Sequence, residues 1–185
     1  PCLLHLAPNE AKDVTMLKLS VREFTRKLTL PLLGLVMAAV TLTFPATASA
    51  EVFKTHFFTV DLGNTWHVQG RPQNMPHSVN VNFVNPGVQS SVNIVVGSGQ
   101  IHPTKLLTDL QRTLVAQHAK VNPIERQGDL LYFEFILNGI KGYSCAGTNG
   151  KDVSSITILG KPEVAFRMLH TLKAKDKKLF PPLNR

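Results

Sequence analysis

Cysteine is scarce in this chain, with two residues in 185, Cys2 and Cys145. A network of disulfides of the kind that staples small secreted domains is therefore excluded. Tryptophan occurs once, at Trp66, and no basic–aromatic binding motif occurs, which argues against nucleic acid as a partner. Catalytic signatures are missing too. There is no G-x-S-x-G elbow, and no nucleophile and base stand together in the sequence. His56, His67, His77, His102, His118 and His170 fall into none of the H-x-H, H-x-x-x-H or H-E-x-x-H spacings that place two imidazoles on one ion. No metal and no cofactor are expected. There is a single long apolar run, and no Arg-Arg pair precedes it.

That run is the most informative feature present. Lys18, Arg22, Arg26 and Lys27 form a basic lead, residues 28–44 are apolar, and Ala48-Ser49-Ala50 supplies the small-x-small pattern of a signal-peptidase site. Residues 16–50 read as a secretion signal cleaved after Ala50, and residues 1–15, ahead of Met16, as an upstream non-native extension. The rival reading is a retained anchor, but the run falls short of the roughly 20 apolar residues that a spanning helix needs, and it contains Pro31. Glu51 rather than Cys follows the cut, against a lipoprotein anchor. The expected location is periplasmic or secreted. The mature part, residues 51–185, forms one domain without a transmembrane segment. Cys145 is then the only thiol left and makes no internal bridge. Fifteen basic and nine acidic side chains give residues 51–185 a net charge of +6.

Hydrophobic periodicity outlines the domain. In residues 53–62, Phe58, Val60 and Leu62 alternate with polar residues, and the opposite parity of Phe53 and Phe57 implies a bulge or break near Phe57. Residues 70–77 read as a loop. Val79, Val81 and Phe83 form a strand face opposite Asn80 and Asn82. Asn85-Pro86-Gly87 turns the chain, and Val92, Ile94 and Val96 alternate with Asn93. Pro103 opens a helix whose stripe is Leu107, Leu110, Leu114 and Val121, flanked by Leu106 and Val115, with Pro123 as its breaker. Leu131, Phe133, Phe135 and Leu137 alternate with Tyr132, Glu134 and Ile136. Asn138-Gly139 and Asn149-Gly150 then predict two hairpins and an antiparallel meander. Pro162 opens a last helix with Val164, Ala165, Met168, Leu169 and Leu172 on its apolar face and Pro181-Pro182 as its end. The expected class is α+β: an antiparallel β-sheet with two main helices packed on it, in the order β-β-β-α-β-β-β-α.

Several residues are weighed as sites. Gly97-x-Gly99 sits between a strand and a helix, but His102 stands where a dinucleotide fingerprint needs its third glycine, so a structural turn is the better reading. Trp66 packs at a sheet end or serves as a binding aromatic beside His67. Asn80, Asn82 and Asn93 would line one polar sheet face. Cys145 is a half-buried strand residue, a partner in an intermolecular disulfide, or a reactive thiol, formally a nucleophile completed by a distant histidine. Trp66, His67, Asn80, Asn82, Asn93 and Cys145 are thus the candidate ligand- or partner-binding residues. The run of lysines in 173–178 reads as a solvated helix end or a contact for anionic lipid.

The element order and the stretch Phe53-x-x-x-x-Phe58-x-Val60-x-Leu62, closing in Leu62-Gly63-Asn64-Thr65-Trp66, resemble the PsbP-like fold, and within it the small exported bacterial proteins of the DcrB kind. That group usually carries Leu-Pro-x-x-Trp here, and Gly63 replaces the proline. The resemblance spans most of residues 52–175. It implies a non-enzymatic exported accessory or binding module, with no catalytic residues to carry over. The functional expectation is a periplasmic binding protein whose partner is an unknown protein or small ligand. The alternatives are a hydrolase-like enzyme using Cys145, or a binder of anionic membrane surfaces through a Lys-rich C-terminal helix.

Overall fold

The computed structural model describes residues 51–99 and 101–182. The expected upstream extension and signal, residues 1–50, lie outside the described residues. Eleven strands and two α-helices follow in the order β1 (Val52–Lys54), β2 (Phe58–Asp61), β3 (His67–Met75), β4 (Ser78–Asn85), β5 (Ser90–Ser98), α1 (Pro103–Ala116), β6 (Lys120–Val121), β7 (Glu125–Gln127), β8 (Leu130–Leu137), β9 (Ile140–Thr148), β10 (Asp152–Leu159), α2 (Pro162–Leu169) and β11 (Lys173–Ala174). The main antiparallel sheet runs β3-β4-β5-β10-β9-β8-β6, with β7 also paired to β8, and a small sheet runs β1-β2-β11. The α+β class holds, with the outline of eight elements subdivided by short strands.

The main sheet has two apolar faces. On the first, Val79, Val81 and Phe83 join Val92, Ile94, Cys145, Tyr143, Ile156 and Ile158 in one core, which Phe58, Val60, Leu62 and Trp66 complete with Phe166, Met168 and Leu169 of α2. On the second face, α1 lies along β8, β9 and β10. There Leu106, Leu107, Leu110 and Leu114 are buried, as is Phe133. The strand alternation read from sequence is the alternation of burial seen in β4, as expected of side chains with a period of two.

Four local expectations need correction. First, residues 53–62 are two strands, not one. Thr55 reverses the chain: its hydroxyl accepts the N–H groups of Phe57 (3.1 Å) and Phe58 (2.9 Å) and donates to the Phe58 carbonyl (2.9 Å). The reversal pairs Phe53 with Val60. This resolves the parity conflict, since Phe53 now packs edge-on against Phe83 at 5.3 Å.

Second, residues 70–77 are mostly strand. β3 runs on to Met75 through a register shift between Gln69 and Gln73 that contains Gly70, at φ +71°, and Pro72. A proline is tolerated there because β3 is the edge of the sheet.

Third, α1 ends at Ala116, before Pro123 acts. His118 adopts φ +63°, and the amides of His118 and Ala119 bond back to the carbonyls of Val115 (2.9 Å) and Leu114 (3.0 Å). This is a Schellman stop with histidine in the place glycine usually takes. Val115 is consequently exposed and Val121 belongs to β6.

Fourth, the lysine run 173–178 is not helical. Thr171 clips the chain to β2, its hydroxyl accepting the Asp61 amide at 3.0 Å and lying 2.7 Å from the Met168 carbonyl. Lys173 and Ala174 then pair with Thr59 and Phe58. Side-by-side pairing with β2 satisfies the backbone groups that a longer helix would have used.

The two expected hairpins are present. Asn138 and Gly139 both have positive φ (+51° and +80°), as a type I′ turn requires. The second hairpin is closed by the Asn149 side chain, which accepts the amides of Lys151 (3.0 Å) and Asp152 (2.7 Å) and donates to Asp176 at 2.9 Å. That contact and the Lys178 amide hold the Asp176 carboxyl below its ordinary range.

Candidate functional site

The six residues singled out from sequence do not form one site. Trp66 and Cys145 belong to the first-face core, 4% and 2% exposed. Desolvation pushes the Cys145 thiol up to about 12, against a weaker opposing hydrogen bond with the Ile156 backbone. A thiol so placed carries almost no thiolate at neutral pH and cannot serve as a nucleophile without local opening.

The other four gather on the second face. Register places Gln69 opposite Asn82 and Asn82 opposite Asn93, and His67 two residues from Gln69 shares their parity. Asn93 donates to Asn80 Oδ1 (3.1 Å) and to the Val81 carbonyl (3.2 Å), and Asn82 donates to Gln69 (2.5 Å). Asn82 Oδ1 is shielded from solvent without a hydrogen-bond partner. Asn93 thus donates to Asn80 and to backbone, and Asn82 to Gln69, so this half-buried strip is in part an internal amide ladder.

A concave site lies elsewhere, on the first face beyond the end of the core. It is a cleft of about 530 Å³ between α2 and the β6–β8–β9 corner of the sheet. Two rows of side chains line its sheet wall. Lys120 pairs with Ile136 and Ile136 with Lys141. In the next row Glu134 pairs with Tyr143, and Asn122 donates its amide to the Glu134 carbonyl at 2.9 Å. Glu163, Phe166, Arg167 and His170 of α2 and its cap form the other wall. Their spacing of three, four and seven residues is one stripe of a helix.

The floor is apolar and aromatic. Tyr132 stacks on Tyr143 at 5.5 Å, and Tyr143 meets Phe166 edge-on at 5.3 Å. Tyr132 is anchored by its hydroxyl, which donates to Glu125 at 2.5 Å. Ile136 is 42% exposed, an unusual state for a large aliphatic side chain at the bottom of a concavity. The rim carries Lys120, Lys141 and Arg167 against Glu134 and Glu163. Among the described residues the ion pairs sit on α1, from Lys105 and Arg112 to Asp109, and none involves these three cations. A second cavity of about 210 Å³ adjoins it at His170 and is bounded by Ile156, Leu169, Leu172, Phe180 and Pro181.

The volume suits a small organic ligand, and the lining joins a small apolar floor to a largely charged wall. Among the described residues no group of three His, Cys, Asp or Glu side chains is placed to hold a metal ion. Sequence reasoning missed this cleft because its residues come from four separate elements. One signal was available: Ile136 and Tyr132 sit on the parity of Glu134, so both faces of this strand carry large apolar side chains. The charged stripe of α2 at 163, 167 and 170, with Phe166 inside it, was a second.

No protein-family model matches the chain, and no curated protein matches it. In fold it is similar to the solution structure of the cyanobacterial PsbP protein CyanoP from Synechocystis sp. PCC 6803. The identity is 13% and the TM-score 0.46, and the match covers 75% of this chain and 98% of that one. No described helix is long and apolar enough to cross a membrane.

Proposed function

We propose that this chain is an exported accessory or binding protein of the DcrB kind, without catalytic activity, that holds a small ligand in the cleft between α2 and β8–β9. The observation that carries the reading is Ile136, 42% exposed and set in a concavity with a polar rim, backed by the buried rings of Tyr143 and Phe166. Apolar surface left open in a concave site is a standing source of binding free energy. The hydrolase alternative loses support because its nucleophile, Cys145, lies in the core.

Binding of the neutral fluorophore phenylnaphthylamine tests the site. Removing the Ile136 side chain as Ile136→Ser takes away roughly 1–2 kcal/mol of apolar contact, about a five- to thirtyfold loss of affinity. Binding that ignores Ile136→Ser counts against the cleft. The export reading is checked separately by fractionating an expressing bacterium and sequencing the mature N-terminus. A periplasmic product beginning at Glu51 is expected, and a cytoplasmic product retaining residues 16–50 opposes it.

A second reading, contact with anionic lipid, keeps some support in altered form. Lys54 and Lys173 flank Thr59 on the small sheet, and Lys175, Lys177 and Lys178 follow on an exposed turn. Binding to phosphatidylglycerol vesicles that is unchanged by salt would exclude it.

A further inference from the structure

We infer that the cleft selects amphiphilic anions: molecules with one apolar body and one oxyanion group, carboxylate, sulfonate or phosphate. The inference rests on the cleft reading above and goes on to assign the chemistry it prefers.

Register carries the argument. Lys120, Ile136 and Lys141 are directly paired neighbours on three adjacent strands. Neighbouring side chains on one sheet face stand about 5 Å apart at Cβ. An exposed isoleucine is thus bracketed by two ammonium groups, and an apolar body laid on Ile136 brings any attached anion within reach of one or both. Arg167 faces them from α2, one residue after Phe166, whose ring closes the floor. A guanidinium beside an aromatic floor is suited to hold two oxygens of a carboxylate, sulfonate or phosphate by two parallel bonds.

The balance of charge points the same way. Three basic side chains, Lys120, Lys141 and Arg167, line the cleft against two acidic ones, Glu134 and Glu163. Among the described residues the cations have no ion-pair partner, so a ligand anion does not have to displace an internal one. The apolar floor lowers the local dielectric once occupied and strengthens each contact. A neutral ligand of the same shape would gain the floor alone.

The experiment compares two fluorophores with one aromatic skeleton, anilinonaphthalene sulfonate and neutral phenylnaphthylamine, on the full chain at low salt. The expected result is that the sulfonate binds at least about tenfold more tightly, the size of one charge-assisted contact. Lys120→Gln and Lys141→Gln, both at exposed positions, should each weaken sulfonate binding about three- to tenfold and phenylnaphthylamine binding by less than about twofold. Glu163→Gln should tighten the sulfonate and not the neutral probe. Arg167→Gln serves as a second cation variant if either lysine variant melts early. Equal affinity for the two probes, with the cation variants silent, overturns the anion preference while phenylnaphthylamine binding sensitive to Ile136→Ser leaves the cleft reading standing. Loss of that sensitivity overturns both. Weakening of both probes alike by Lys120→Gln also overturns the inference, because it marks a change of shape rather than of charge.

Discussion

Gly147 provides a demanding test of how the C-terminal segment is held. It lies in β9 opposite Ser154 of β10, and a Cβ at this position would come within 2.6 Å of both the Leu179 carbonyl oxygen and the Pro181 ring. Neither obstacle is the free end of a flexible side chain, so rotation of a rotamer cannot relieve the contact. Gly147→Ala must lift the strap that seats Leu179 and Phe180, which are 1% and 9% exposed. It also stretches the hydrogen bond that Ser154 donates to the Leu179 carbonyl. Overpacking alone costs about 1–3 kcal/mol. Full release of the strap adds about 1.5–3 kcal/mol for each of the two apolar side chains. Against this, alanine reduces the freedom of the unfolded chain and gains about 0.5–1 kcal/mol. Full release would sum to about 3–8 kcal/mol; with the strap only partly lifted, a net loss of about 2–4 kcal/mol is expected in urea denaturation. It should be accompanied by faster amide exchange at Leu179, whose N–H bonds to the Asp176 carbonyl at 3.2 Å. Gly150→Ala is the control, with φ +89° and open space around it; backbone strain alone predicts about 1–2 kcal/mol and no change in exchange at Leu179. A neutral or stabilising Gly147→Ala would refute the placement of the strap over β9.

Two further predictions follow from the core and the first hairpin. Native protein at neutral pH should resist thiol reagents at Cys145 and react on unfolding. Because the folded thiol is raised from 9 to about 12, the unfolded chain loses its proton first. The contribution of the thiol to stability is therefore whole below pH 9 and is lost as the pH climbs toward 12, so wild type should lose its advantage over Cys145→Ala in that window. Equal pH profiles for the two proteins would contradict the burial. At the type I′ turn, Asn138→Ala should cost about 1–2 kcal/mol, seen as a lower melting temperature, while Asn138→Gly should be nearly neutral. Equal losses for both would mean that side-chain contacts, not the positive φ, hold the turn.

What the sequence made legible was the part written in short range. Period-two alternation located β4, β5 and β8, Asn149-Gly150 pointed to the strand after it, and Asn138-Gly139 located a turn whose φ values only a few residues tolerate. The stripe of α1 was legible through Leu114 and no farther. Its stop depends on His118 taking a left-handed conformation, which histidine adopts far less readily than glycine. The division of residues 53–62 was legible only as a parity conflict, because Thr55 makes its turn with a side-chain oxygen instead of glycine or proline. Long-range pairing was invisible. The lysine run 173–178 has the composition of a helix end, but Thr171 and the open edge of β2 draw Lys173 and Ala174 into a strand. The same limit explains the site. Asn80, Asn82 and Asn93 were correctly placed together on one face because a single hairpin joins them. The cleft is assembled from β6, β8, β9 and α2, and only the register of Lys120, Ile136 and Lys141 reveals that two cations bracket an exposed aliphatic side chain.

The most direct test of the central claim is a map of amide chemical shifts on titration with anilinonaphthalene sulfonate. The account predicts saturable shifts concentrated at Lys120, Ile136, Lys141, Phe166 and Arg167. Shifts confined to the Asn80, Asn82 and Asn93 strip, or spread without a centre, would contradict it.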